Sequence, residues 1–312
     1  MFFGINHSRF IAGNVCELQK DDKKFFACCE AVLTGFQDAP GASAGPGERR
    51  FPDRLTIPAL PAPCGRRHSF RSECEVTVAT EAKNRILIIG AGAIGSFYGA
   101  ALQAGGADVA VVCRSEFEVV REQGYEIDSD SLGKRCFRPA QTLREVSDYQ
   151  GGPPDYLVVC VKVVDGTDRV ALMGNAVGPD TVIVLIENGI EIEAEIAQAF
   201  PRNEFISALA FVQVSRIAPG KVKHFAFGGL SFGSYPAGLS DRARQLGKLL
   251  ERGGIACTLT EDVITARWKK CVWNAVFNPI SVLGGVLDTG HILHAEGGEA
   301  FVRRAMEEVA AV

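Results

Sequence analysis

Residues 86–95, Ile-Leu-Ile-Ile-Gly-Ala-Gly-Ala-Ile-Gly, constrain the fold more than any other stretch of the chain. Ile86–Ile89 is an unbroken aliphatic run that stops at a glycine, the pattern of a short strand buried on both faces. Gly92–Ala104 continues with helix-compatible residues, and Asp108–Cys113 supplies a second short apolar strand. Gly90, Gly92 and Gly95 therefore stand at G-x-G-x-x-G spacing between a predicted strand and a predicted helix. In such a turn Gly90 permits the reversal, Gly92 lets the backbone approach a pyrophosphate, and Gly95 lets the helix pack closely on the strand. The first helical turn, with Ala93 and Ile94, offers unpaired amides and a partial positive charge to phosphates. The three glycines alone would be weak; between these flanks they point to a bound dinucleotide rather than a structural turn.

The end of the second strand bears on which dinucleotide. A site that prefers NAD places Asp or Glu there to accept hydrogen bonds from the ribose 2′-hydroxyl. This chain reads Val111-Val112-Cys113-Arg114-Ser115, and Arg114 can pair with a 2′-phosphate through charge-assisted donors and a planar face. Glu116 and Glu118 lie just beyond and argue the other way. NADPH is the expected cofactor.

Beyond this unit, strands are predicted at Tyr156–Val161 and Thr181–Ile186, with helical segments near Glu116–Glu122 and Gly166–Ala176. Strands alternating with helices indicate an α/β, doubly wound parallel sheet covered on both faces. Phe205–Tyr235 suggests extra, antiparallel strands; Ser240–Arg252 reads as an amphipathic helix and Ile255–Leu259 as a last strand. After Glu261 only helical patterns remain, so the domain boundary is expected near residue 260. Residues 1–84 read differently. Six of the fourteen prolines (Pro40, Pro46, Pro52, Pro58, Pro61 and Pro63) fall there without any period of 2 or 3.6, as in a disordered or loosely packed extension. Glu73 and Glu75 in it have no partner that suggests chemistry.

Composition narrows the function classes. A formal net charge of −4 gives no electrostatic reason to seek nucleic acid. Ile86–Ala107 is uncharged and long enough to cross a bilayer, but its glycines, Ser96 and Gln103 fit a soluble turn and helix better. The ten cysteines are dispersed, with no C-x-x-C pair, and Cys113, Cys160, Cys257 and Cys271 sit in apolar runs as reduced structural thiols. The expected location is the cytoplasm.

A second informative segment is Arg267-Trp268-Lys269-Lys270-Cys271-Val272-Trp273-Asn274-Ala275-Val276-Phe277-Asn278-Pro279. Lys270, Asn274 and Asn278 recur at i, i+4, i+8, so a helix stacks them on one face. Asparagine is a poor mid-helix residue, and two of them on an apolar helix need a reason. A solvated stripe is one reading; a row of donors facing a polar substrate is the other. An ammonium such as Lys270 can stabilise an alkoxide and donate a proton, and partial burial lowers its pKa from ~10.4 toward a useful range. Lys269 lies about 100° around the helix, on another face.

Taken together, Ile88–Gly95, Val161-Lys162 closing a later strand, Glu187-Asn188-Gly189, and the Lys270/Asn274/Asn278-Pro279 helix resemble the ketopantoate reductase (2-dehydropantoate 2-reductase) family. The motifs run in family order from about residue 85 onward, and the lysine–asparagine helix is the most specific of them. The resemblance implies a Rossmann-type sheet followed by a helical domain. It also implies NADPH-dependent reduction of 2-dehydropantoate to (R)-pantoate, a step of pantothenate and coenzyme A synthesis. Lys270 would be the general acid, Asn274 and Asn278 would bind substrate, Asn188 would lie at the cofactor–substrate junction, and Lys162 near the cofactor ribose.

Family members continue past the equivalent of Val312 with a serine and a glutamate that help hold substrate. The expectation is a helical domain begun at residue 261 and cut short, in a chain that binds cofactor better than it turns over substrate. Reduction of another small 2-oxo acid, or a non-catalytic NADPH-binding sensor, are the alternatives. The expected partners are a small 2-oxo acid and, as one arrangement, a second copy of the chain in a homodimer, with neither nucleic acid nor a membrane. His291 and His294 lack a third ligand and read as surface or capping residues, so no metal is expected.

Overall fold

The computed structural model describes residues 83–312. The readings made over residues 1–82, including the proline-rich segment, lie outside the described residues.

The chain enters through β1 (Arg85–Ile89), turns into α1 (Ala93–Ala104) and returns as β2 (Asp108–Val112). Next come α2 (Phe117–Gln123), the hairpin β3 (Tyr125–Ser129) and β4 (Gly133–Phe137), and the short β5 (Gln141–Leu143). β6 (Tyr156–Val159), α3 (Arg169–Met173), β7 (Val182–Ile186) and α4 (Ala194–Ala199) complete the alternating part. A long hairpin follows, β8 (Phe205–Ala218) and β9 (Lys221–Tyr235), then α5 (Asp241–Arg252) and β10 (Cys257–Leu259). The last described elements are helices: α6 (Val263–Leu283), α7 (Thr289–His294) and α8 (Gly298–Ala310).

All ten described strands join one sheet in the order β4-β3-β9-β8-β7-β6-β1-β2-β5, with β10 added to β9. From β5 to β8 neighbouring strands are parallel, whereas β8–β9 and β3–β4 are antiparallel, so the sheet is mixed. β9 is long enough to pair with β3 through Lys221–His224 and with β10 through Leu230–Phe232. Three register shifts along β8–β9, the first between Phe211 and Val212, bend the hairpin away from a flat sheet.

The isoleucine run explains why both faces are covered. Side chains alternate along a strand. Ile86 and Ile88 thus pack beside Phe97, Leu102 and Leu249 from α1 and α5, while Leu87 and Ile89 pack beside Met173 and Ile196 from α3 and α4. Each such aliphatic side chain, fully withdrawn from water, contributes about 1.5–3 kcal/mol. Ser240 caps α5 by accepting from the Ala243 amide at 3.0 Å, which sets the helix start one residue later than predicted.

The sequence reading and the structure differ in several places. β6 ends at Val159 rather than Val161, so Lys162 lies in the following loop. The helix predicted over Gly166–Ala176 shortens to Arg169–Met173 and a 3-10 turn at Gly174–Ala176, because Asp168 caps it late and Gly174 (φ +50°) ends it. The β3–β4 hairpin and β5 were not expected. Their residues are mostly polar and half-solvated, and Ser129–Gly133 reads as an ordinary loop. α6 runs through Pro279, which removes one backbone donor without ending the helix.

Candidate functional site

β1 has β2 on one side and β6 on the other, so the chain reverses its direction of travel across the sheet at β1. Such a switch point opens a crevice beyond the carboxyl ends of the strands. Gly90 follows β1, Arg114 follows β2 and Lys162 follows β6, and all three line one cleft of about 1250 Å³ together with Gly92, Ala93 and Ile94.

Each glycine of the turn does a different job. Gly90 has φ +89°, and a Cβ there would lie 2.8 Å from Val161 Cγ1 and 3.0 Å from the Cys160 carbonyl carbon. Gly95 touches the turn itself: a Cβ would come within 2.6 Å of the Gly90 oxygen and 3.2 Å of Ile88 Cγ2. Gly92 is different, because a Cβ would meet nothing within 4 Å, and its φ of −77° suits any residue. The protein therefore has no packing reason for glycine at 92; the space a side chain would take belongs to the cleft. No side chain caps α1, so its first amides keep their capacity to bind an anion. These features fit a pyrophosphate laid over the helix start. Tyr125 of β3 fastens the turn, its hydroxyl donating to the Ala91 carbonyl at 2.7 Å.

Arg114 is exposed at the mouth of the cleft, and the two carboxylates beyond it are already engaged. Glu118 pairs with Arg121 at 2.7 Å and with Arg144. Glu116 is 5% exposed, with Oε1 3.0 Å from Arg216 Nε. Its burial pushes the carboxyl above the usual carboxylate range, against the opposing pull of Arg216.

The second cluster lies where β7, β8 and α6 meet. Lys270 is half-buried, and its Nζ donates to Asn188 Oδ1 at 2.9 Å and to the Ala210 carbonyl at 2.9 Å. The ammonium also stands 5.2 Å from the centre of the Phe211 ring. Burial, and next the Arg267 guanidinium, push the Lys270 ammonium down to about 8. Arg267 is one helical turn before it and only 2% exposed. Its Nε donates to Glu193 Oε1 at 2.6 Å and its Nη2 to Ser207 Oγ at 2.7 Å. Its Nη1 donates to the carbonyls of Glu187 (2.8 Å) and Gly189 (3.0 Å), the two residues flanking Asn188. One guanidinium thus fixes the loop that carries Asn188 to the helix that carries Lys270. Below it, Glu187 pairs with Arg169 at 3.1 Å, and burial pushes its carboxyl up to about 7.

Asn274 and Asn278 share the helix face with Lys270, Asn274 half-buried and Asn278 exposed, and neither side chain bonds to any described residue. Asn188, Lys270, Asn274 and Asn278 are not among the residues lining the large cleft. His291 pairs with Asp288 at 2.8 Å on α7, and among the described residues no group of three metal-ligating side chains occurs. Likewise, no described helix is long and apolar enough to cross a membrane.

Tyr125, Arg216 and Arg267 were not singled out from sequence. The first two act across more than thirty and a hundred residues respectively. Arg267 did leave a signal, as the one arginine of α6, placed one turn before Lys270.

Fold and site define a protein with a Rossmann-like dinucleotide cleft and a lysine–asparagine helix beside it. Comparison with known proteins narrows this class. Residues 86–237 match the family model for ketopantoate reductase PanE/ApbA, and residues 262–312 match that for its C terminal. A crystal structure of 2-dehydropantoate 2-reductase from Methylococcus capsulatus is 52% identical, with TM-score 0.68, covering 73% of this chain and 72% of that one. The corresponding structure from Geobacter metallireducens is 31% identical, with TM-score 0.67, covering 73% and 74%. The 2-dehydropantoate 2-reductase of Nostoc sp. is 30% identical over 210 residues, 64% of this chain and 64% of that protein. The present chain therefore spans a little less than two thirds of that relative's length. It belongs to the ketopantoate reductase family, one of NAD(P)H-dependent reductases.

Proposed function

We propose that this chain uses NADPH to reduce a small 2-oxo acid, with 2-dehydropantoate as substrate and (R)-pantoate as product. The observation that carries the reading is the Lys270 ammonium, held at 2.9 Å by both Asn188 and the Ala210 carbonyl and pushed down to about 8. The Methylococcus, Geobacter and Nostoc relatives, each a 2-dehydropantoate 2-reductase, point to the substrate.

Gly90, Gly92, Ala93, Ile94 and Gly95 would hold the pyrophosphate, Arg114 the 2′-phosphate, and Lys162 the ribose side of the cofactor. NADPH supplies a hydride when bound. Reduction of the ketone then leaves charge on its oxygen, which the Lys270 Nζ stabilises and quenches by giving up a proton. A group with a pKa near 8 is mostly charged at neutral pH yet surrenders its proton more readily than an ordinary lysine. Asn188 and the Ala210 carbonyl keep the ammonium aimed, and Asn274 and Asn278, without partners among the described residues, are the donors available to a substrate.

The test follows loss of NADPH absorbance with 2-dehydropantoate and a panel of other 2-oxo acids. Oxidation is expected to be fastest with 2-dehydropantoate and lost in Lys270→Ala. A different preferred acid would overturn the substrate; NADPH binding with no turnover of any acid would make the chain a cofactor-binding protein only.

A further inference from the structure

Arg216 sits near the tip of the β8–β9 hairpin, opposite Val222, far in sequence from the glycine turn. The bend in that hairpin and the pairing of β9 with β3 bring it back over the cofactor cleft, where Val214, Ser215 and Arg216 line the wall facing Arg114, Ser115 and Glu116. There its Nε engages Glu116 Oε1 at 3.0 Å, and its Nη1 donates to Ser115 Oγ at 3.3 Å across 101 residues. Nη2 bonds to no described residue, and the side chain remains 48% exposed to the cleft.

Glu116 is the carboxylate closest to the place from which an NAD-preferring site holds the ribose 2′-hydroxyl. In this protein it is turned inward: one oxygen is taken by Arg216, and the other is buried without a hydrogen-bond partner among the described residues. Glu116 is therefore withheld from the ribose by a residue of another strand. That same guanidinium adds a second fixed positive charge beside Arg114, with a planar fork suited to a phosphate.

We propose that Arg216 is a cofactor-specificity residue, which sequesters Glu116 and presents a free guanidinium edge, next to Arg114, to the 2′-phosphate of NADPH. This rests on the reading of the cleft as an NADPH site. It assigns the discrimination to two residues, Arg216 and Glu116, acting in opposite senses, rather than to the strand-end arginine alone.

The experiment measures Kd for NADPH and for NADH by fluorescence titration, without substrate, on the whole chain and on Arg216→Gln, Arg216→Lys, Glu116→Gln and the Arg216→Gln/Glu116→Gln pair. In Arg216→Gln, NADPH binding should weaken about tenfold or more, since a charge-assisted contact is lost and a carboxylate is released toward the phosphate. NADH binding should hold or tighten. The double variant should recover part of the NADPH affinity and lose any gain for NADH. Arg216→Lys, which keeps the charge without the fork, should fall between the two. Equal weakening toward both cofactors, or an unchanged NADPH/NADH ratio in a variant with the parent melting temperature, would overturn the proposal. An unaltered chain that prefers NADH would instead refute the NADPH reading beneath it, and the two failures are told apart by which protein shows them.

Discussion

The glycine turn and the Lys270 cluster lie at carboxyl ends of strands in the same sheet, yet they are assembled in different ways. Gly90 to Gly95 are six consecutive residues constrained largely by backbone shape: a positive φ, a carbonyl 2.6 Å from where a Cβ would be, and an open space over Gly92, with Val161 and Cys160 crowding Gly90 from outside the turn. Lys270 and Arg267 come from a helix that lies 60–82 residues beyond the strand of Ala210 and the loop of Asn188, and charge rather than backbone shape holds them in register. A local turn tolerates change elsewhere in the fold; a cluster bound through one guanidinium does not. This difference can be broken from either side.

The largest effect is expected at Lys270. Its replacement by alanine should lower kcat/KM for the 2-oxo acid about 10²- to 10⁴-fold. NADPH affinity should stay within about twofold, because Lys270 does not line the cleft. A matching loss of cofactor binding would mean that the two regions are one. Second comes Arg267→Met, which strands the buried Glu193 carboxylate and should cost about 3–5 kcal/mol in chemical denaturation. It should also raise the Lys270 pKa, since Arg267 is one of the two causes depressing it. Unchanged stability would show that the clamp is dispensable.

Gly92→Ala should act on binding alone. NADPH affinity is expected to drop about tenfold, with stability unchanged within about 0.5 kcal/mol, because the new methyl enters the cleft and not the core. Gly95→Ala, by contrast, should lower the melting temperature, since its methyl meets the Gly90 carbonyl. The smallest effect is in pH. Lys270 must carry its proton to act as the acid, so activity should be level below about 8 and fall as pH rises through it. A profile flat to pH 10 would remove Lys270 from the role.

The same division explains what could be read from sequence. The Ile86–Ile89 run, the glycine spacing and the α5 amphipathic helix obey short-range rules, and strand and helix stand within a residue or two of the predicted bounds. The i, i+4, i+8 row on α6 was readable for the same reason. Tyr125 was not, because β3 is a half-exposed strand with Glu126 and Asp128 in it, and β9, its neighbour on the side away from β4, lies almost a hundred residues on. Nor could spacing show that Glu116, which counted against NADPH, is turned inward: the residue that turns it comes from the tip of a bent hairpin.

That hairpin carries a temporal consequence. β1 pairs with β2 close in sequence as well as with the later β6, so this unit can begin to form early, while the wall containing Arg216 exists only after β8 and β9 have closed on each other and β9 on β3. During synthesis, then, the glycine turn emerges some hundred residues before the wall that finishes its pocket. If Arg216 selects the cofactor as proposed, a chain halted before Val222 would carry the glycine turn without the closed hairpin that completes the wall opposite it.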